Sequence, residues 1–232
     1  KRLAWKILRR GVDKMTLIQA ILLGIIQGVT EFLPVSSSGH LVLFQKIFGV
    51  AEPSLTFGIV VHLGTLAAVF AVFWKDIVSI LRKPFQRLTL LLIAGTIPTG
   101  IIGVVFKDFF ENIFASGKTL GFEFFITGLI LFFADNLNRG YKKVEETSML
   151  DAAFVGLMQG AAIMPAISRS GLTISGALFR DMDRDFAARF SFLLSIPAIL
   201  GAAVFDMKDV LEAGVENLDS VSLGAGFIRS EE

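Results

Sequence analysis

Leu88 to Phe106 runs nineteen residues without one ionisable side chain, which constrains the chain more than any other feature. As a helix it would measure about 28 Å at about 1.5 Å per residue, close to the roughly 30 Å hydrocarbon core of a bilayer. Three further runs resemble it. Leu55 to Trp74 carries only His62, Leu120 to Ala134 only Glu123, and Phe186 to Phe205 only Arg189, near its start, where a long side chain reaches the headgroups. None alternates with the period of two that a barrel strand needs, and their glycines suit helices packed closely in lipid. The fold class expected is all-α, a polytopic membrane helical bundle. His62 reads as a satisfied bundle residue without a role; Glu123 and Arg189 read as interfacial or paired with a neighbour.

Composition agrees with a membrane solvent. With 53% hydrophobic and 19% charged residues, and a mean hydropathy of +0.69, the chain has too little polar surface to cover a soluble globule. Its 22 basic and 21 acidic residues leave a net charge of +1, so no basic field points to nucleic acid. There is no cysteine, which removes disulfides, thiolate metal sites and cysteine nucleophiles. Met15 follows a basic stretch, but no cleavage pattern leading into a polar mature domain comes after it, so no removed signal peptide is expected.

Two other apolar segments are interrupted. Between Lys14 and Lys46 the ionisable residues are Glu31 and His40; between Asp151 and Arg180 there is only Arg169. Each lies beside a break, Pro34-Val-Ser36-Ser37-Ser38-Gly39 in the first and Pro165-Ala-Ile-Ser168-Arg169-Ser170-Gly171 in the second. Proline and glycine interrupt the helical ladder, and non-helical backbone at membrane depth survives only inside protein or against a wet cavity. Both segments therefore read as re-entrant helical hairpins. They are also copies: Gly24, Gln27, Gly28, Ser36, Ser38 and Gly39 recur at a spacing of 132 as Gly156, Gln159, Gly160, Ser168, Ser170 and Gly171. Three spans between them invert the second copy, so the expectation is an inverted-topology repeat in a single membrane domain, repeat one over about 15–134 and repeat two over about 151–232.

Gln27 and Glu31 are four apart and share a helical face leading to the first break. A carboxylate inside a membrane costs roughly 2.5 to 3.5 kcal/mol on insertion scales, so it needs a partner or water. The breaks supply hydroxyls, backbone N–H groups and restarting helix N-termini, which suit anionic oxygens, and Arg169 adds a guanidinium. If the two breaks meet, one carboxylate, one imidazole, one guanidinium and a ring of hydroxyls converge. Phosphoryl transfer uses such a set: charge neutralisation, an activated nucleophile, and a carboxylate that moves a proton or holds a metal.

At these residues the chain resembles the undecaprenyl-pyrophosphate phosphatase family of the bacitracin-resistance type. Gly24-Ile-Ile-Gln27-Gly28-Val-Thr-Glu31-Phe-Leu-Pro34-Val-Ser36-Ser37-Ser38-Gly39-His40 is similar to its first signature, and Pro165-Ala-Ile-Ser168-Arg169-Ser170-Gly171-Leu-Thr173 to its second. The likeness runs from about Met15 to Phe205. Gln27 stands where the family often has Glu, Ala166 replaces the customary Gly, and the region after Ser222 is short and unlike the family's. The resemblance implies an enzyme of the cell (inner) membrane, multi-pass, that hydrolyses a polyprenyl pyrophosphate to the monophosphate and phosphate, recycling the lipid carrier for cell-wall polymers. By the same implication Arg169 clamps the diphosphate, Ser37 or His40 attacks or activates the attacking group, and Glu31, with Gln27, holds a divalent cation (Mg or Ca) or moves a proton. Ser36, Ser38, Gly39, Ser168, Ser170, Gly171 and Thr173 would line the substrate, and the outer face would carry the site. A homo-oligomer is compatible. A polyprenyl phosphate transporter or flippase is the rival reading, because paired hairpins in an inverted repeat serve transport as well.

Two more expectations follow. Loops 75–87, 135–151 and 180–185 carry nine Lys and Arg residues against four in loops 46–54, 107–119 and 206–220, so the first set should face the cytoplasm, which leaves the six basic residues of 1–14 outside. The repeat arithmetic also places a span begun at Val221 to Ile228 opposite Leu88 to Phe106. Two carboxy-terminal spans are thus expected beyond this sequence, leaving the second hairpin exposed along the flank that Leu88–Phe106 and Leu120–Ala134 cover in the first repeat.

Overall fold

The computed structural model describes residues 15–50, 55–116, 119–137 and 140–213, and among these every regular element is helical. In chain order the helices are α1 (Leu17–Phe32), α2 (Ser37–Ile47), α3 (Leu55–Val72), α4 (Trp74–Arg82), α5 (Arg87–Val105), α6 (Lys107–Ser116), α7 (Leu120–Asp135), α8 (Met149–Ala161), α9 (Arg169–Phe179) and α10 (Arg184–Ala213). The architecture is all-helical and apolar, as the sequence implies; the segments 1–14 and 221–228 lie outside the described residues.

The ends of the broken segments follow local chemistry. Thr16 and Gln19 form a capping box that starts α1, and Ser148 and Asp151 form the corresponding one at α8. α1 stops at Phe32 because Leu33 precedes Pro34 and is driven to extended backbone, φ −75° and ψ 145°. The chain restarts as α2 from Ser36, whose side chain accepts the Gly39 N–H, and as α9 from Ser168, whose side chain accepts the Gly171 N–H. Each interrupted segment is thus helix, break, helix.

The long runs are less uniform than their hydropathy implies. α5 and the Arg184–Val204 part of α10 are long and apolar enough to cross a bilayer, but the run from Leu55 to Trp74 turns by 80° into α4 after Val72. α7 has sixteen residues. At about 1.5 Å per residue it measures about 24 Å, short of a bilayer core. Hydropathy averages over a window and cannot register a bend at its edge.

The core gathers where α5, α8 and α10 meet, around Leu91, Val155, Phe190 and Leu194, all fully buried or nearly so. α5 and α8 approach until backbone meets backbone. A Cβ at Gly156 would strike the Gly95 carbonyl oxygen, one at Gly160 would come within 2.5 Å of Ile102 Cδ1, and the Thr99 hydroxyl donates to Gly156 O across the crossing at 2.8 Å. Gly156→Ala should therefore cost about 3 kcal/mol through overpacking, whereas Gly128→Ala, with open space around it, should cost little. Thermal unfolding of both variants in detergent checks this, and equal midpoints would contradict the packing.

One expectation is overturned. α5 does not cover the first hairpin but packs on α8, and α7 packs mainly on α9, touching the first hairpin through Phe124 against Gly39 and His40. The second hairpin is therefore the covered one, and α1 keeps Ile18 and Val29 more than half exposed. Repeat arithmetic matches one copy to the other but says nothing about which copy a given helix leans on. At the start of α8 a buried carboxylate anchors the chain. Asp151 pairs with Lys142 Nζ at 3.2 Å and Arg180 Nε at 2.6 Å while accepting the Ser148 N–H.

Candidate active site

The two breaks lie against each other and exchange equivalent hydrogen bonds. Ser38 donates to the Pro165 carbonyl, and Ser170, 132 residues later, donates to the Leu33 carbonyl at 3.1 Å, itself 132 residues before Pro165. Within each break the paired serines also face each other at 3.3 Å, Ser36 to Ser38 and Ser168 to Ser170. Ser36 adds a bond to Pro165 O at 3.3 Å. These hydroxyls therefore satisfy backbone carbonyls that the breaks leave outside the helical ladders.

Ser36 sits at φ 66°, ψ 97°, in left-handed territory unusual for a residue with a Cβ. Such a conformation costs on the order of 1–3 kcal/mol and persists only where surroundings over-determine it. Here the contacts to Gly39, Ser38 and Pro165 do so. Gly39 is required for space, since a Cβ there would come within 2.5 Å of Phe124 Cζ and 3.0 Å of Ala166 Cβ.

Into this frame project the residues with chemistry. Arg169, the first residue of α9, pairs through Nη2 with Oε1 of Glu31, in the last turn of α1. The other oxygen, Oε2, accepts from Gln27 Nε2 at 2.8 Å and from Ser37 Oγ at 2.5 Å. Glu31 is 4% exposed and Arg169 18%. A buried ion pair is tolerable only when remaining lone pairs are satisfied, and Gln27 and Ser37 satisfy them. Glutamine at 27 matters: its amide donates to Glu31, where a glutamate would bring a second negative charge to the same oxygen.

His40 lies on α2 with Nδ1 2.8 Å from the Ser36 carbonyl and its ring edge-on to Phe124. A carbonyl only accepts, so Nδ1 carries the hydrogen and Nε2 is the ring atom left for a ligand. Thr173 is turned elsewhere: fully buried, its hydroxyl lies 2.5 Å from Ser191 Oγ on α10 and donates to Arg169 O at 2.7 Å. It ties α9 to α10. Gln159, the repeat partner of Gln27, likewise bonds to Thr99 Oγ1 at 3.3 Å and supports packing.

Two residues escaped the sequence reading. Of the two alternatives for Glu123, interfacial or paired with a neighbour, the second holds but with a use the sequence did not show: it is buried, and its Oε2 accepts the Ala166 N–H at 2.9 Å while Thr127 accepts the Ser168 N–H at 3.2 Å. α7 thus braces the backbone just before Arg169. His62, assigned no role from sequence, brings Nε2 to 3.8 Å from Glu31 Oε2. Both contacts join residues far apart in the chain, and no local pattern announces them.

The donor set does not suit a resident divalent cation. Among the described residues no three His, Asp or Glu side chains form a metal-binding group. Glu31 already receives donors on both oxygens, with a guanidinium as one of them. Hard cations need several free oxygen ligands. Chelation should accordingly leave the thermal midpoint of the purified protein unchanged; a fall in that midpoint with EDTA, restored by Mg or Ca, would contradict this.

The arrangement combines an acceptor aimed at a hydroxyl, a guanidinium with further N–H donors beside it, and a sheltered polar seam, which suits attack by a serine oxygen on a phosphorus centre. Comparison with known proteins shows the family. Residues 20–230 match the family described as bacitracin resistance protein BacA. The chain is 59% identical to a protein of Carboxydothermus hydrogenoformans named undecaprenyl-diphosphatase, over 92% of this chain and 82% of that one. It is 49% identical to undecaprenyl-diphosphatase 4 of Bacillus cereus over 92% and 83%, and 47% identical to the undecaprenyl-diphosphatase of Halothermothrix orenii over the same shares.

Proposed function

The chain belongs to the bacitracin resistance protein BacA family, and from that membership and the geometry above we infer that it is an undecaprenyl-diphosphatase, a membrane enzyme that hydrolyses undecaprenyl pyrophosphate to undecaprenyl phosphate and inorganic phosphate. The observation that carries the reading is the convergence on Glu31 of Ser37 from the same break and Arg169 from the other. The setting is the cell membrane, crossed several times, with the broken segments as re-entrant hairpins of an inverted repeat; the reciprocal Ser38–Pro165 and Ser170–Leu33 bonds support that reading.

In the proposed reaction Arg169 turns its free N–H groups to the diphosphate oxygens. Ser37 Oγ attacks the terminal phosphorus, its proton passes to Glu31 Oε2, and the bond to the bridging oxygen breaks, releasing the lipid monophosphate. Once that proton has left Glu31 for solvent, water attacks the phosphoserine and gives a proton to the restored Glu31 carboxylate, which hands it to Ser37 Oγ as phosphate leaves. Ser37 is preferred over His40 as nucleophile because it alone of the two donates to the carboxylate. The N–H groups at the α2 and α9 N-termini would steady the phosphoryl oxygens. No step is routed through a metal.

Purified protein in detergent should release phosphate from undecaprenyl pyrophosphate with multiple turnovers. Binding without phosphate release would favour the transporter or flippase instead.

A further inference from the structure

The two half-reactions leave the route of one proton unassigned. After the first, Glu31 holds the proton taken from Ser37, and in that state it cannot take another from the water of the second. Anhydride hydrolysis releases about one proton per turnover near neutral pH, so an acceptor must draw it off Glu31 between the steps. We propose that His62 is a further positioning residue of this site: it receives that proton on Nε2 and returns Glu31 to the carboxylate form before water attacks. The proposal rests on the function inferred above.

Geometry carries it. His62 Nδ1 lies 2.7 Å from the Gly58 carbonyl, one turn earlier on α3. Since a carbonyl only accepts, Nδ1 must be the protonated nitrogen of the neutral ring, which leaves Nε2 bare. That bare nitrogen is the atom 3.8 Å from Glu31 Oε2, the same oxygen that Ser37 meets at 2.5 Å. Ser37, Glu31 and His62 therefore form a line through one carboxylate oxygen. The short remaining gap closes to a hydrogen bond once Glu31 is protonated and has a proton to donate. Glu31 from α1 faces the ring, with Arg169 of α9 on the opposite side of that carboxylate. Exposure supplies the direction of flow: the His62 side chain is 34% exposed and Glu31 4%, so the imidazole has the route outward. The transfer balances, with the O–H bond on Glu31 breaking, an N–H bond on His62 forming, and the imidazolium later losing its proton outward.

The test is a comparison of wild type with His62→Gln and His62→Ala, using undecaprenyl pyrophosphate in detergent. Glutamine can still donate to Gly58 O but cannot take up a proton. Its kcat should fall about 10- to 100-fold, less than the roughly 10²–10⁴-fold of losing a direct general base, with no rise in KM. Because only the second half-reaction is starved of its base, rapid mixing should show a burst of lipid monophosphate and phosphoserine building up on Ser37. Imidazole in the buffer should restore turnover to His62→Ala, whereas pyrrole, of the same shape without a basic nitrogen, should not. Full activity in His62→Gln would overturn the proposal, as would equal rescue by pyrrole or a loss with neither burst nor imidazole rescue at an unchanged unfolding midpoint. If wild type itself releases no phosphate, the function fails; if wild type turns over and the variants match it, only the role of His62 fails.

Discussion

Arg169→Lys is expected to lower kcat/KM by on the order of 10³-fold, about 4 kcal/mol, while the protein still folds and inserts. Lysine keeps the positive charge that the buried Glu31 needs, so the ion pair survives in substance. What is lost is the planar fork, which holds Glu31 with one N–H and leaves others, in fixed directions, for two oxygens of the diphosphate. An ammonium must choose between them. Alanine would be a poorer probe, because stranding the Glu31 carboxylate would cost several kcal/mol of stability and confound the kinetics. Turnover within a few fold of wild type in Arg169→Lys would remove this residue from the substrate site.

The second large effect is expected at Ser37. Ser37→Ala should reduce kcat by on the order of 10³- to 10⁴-fold, since it removes the atom that bonds to phosphorus, and Glu31→Gln should reduce it comparably by removing the acceptor for that atom's proton. The two together should be hardly worse than either alone, because they form one unit and the second loss finds nothing left to disable. Ser37→Ala leaves the Gln27 and Arg169 bonds to Glu31 in place, so the unfolding midpoint should hold. Multiplicative losses would mean that Ser37 only binds phosphate and that another group attacks. His40 would then be the next candidate, and His40→Ala would become the more damaging change.

The helices, their breaks and the pair Glu31 and Arg169 were legible because each has a local signature: an apolar run, a proline beside serines and glycine, a lone charge in a long uncharged segment. The repeat was legible too, and the structure gives its departures a meaning. Positions that recur, such as Ser36 with Ser168 and Ser38 with Ser170, cap helices and tie the breaks to each other's carbonyls. Positions that differ at the same offset are those given the chemistry in the proposed reaction: Glu31 corresponds to Ile163, Ser37 to Arg169, and His40 to Leu172. Sequence could not reveal how helices lean on one another. That is why the sequence does not show that α5 leans on the second hairpin, that the Thr173 hydroxyl meets Ser191, or that His62 and Glu123 reach the breaks. Each of these depends on a contact between residues distant in the chain, and a lone polar side chain in an apolar run looks the same whether it faces a partner or nothing.

The central claim, that Ser37 attacks phosphorus under the control of Glu31, is tested most directly by rapid mixing with substrate labelled in its terminal phosphate, acid quenching within the first turnover, and peptide mapping. The account predicts labelled phosphate on Ser37 that appears before free phosphate and is absent in Ser37→Ala. Free phosphate appearing at the full single-turnover rate with no label on Ser37, or label on His40 instead, would contradict it.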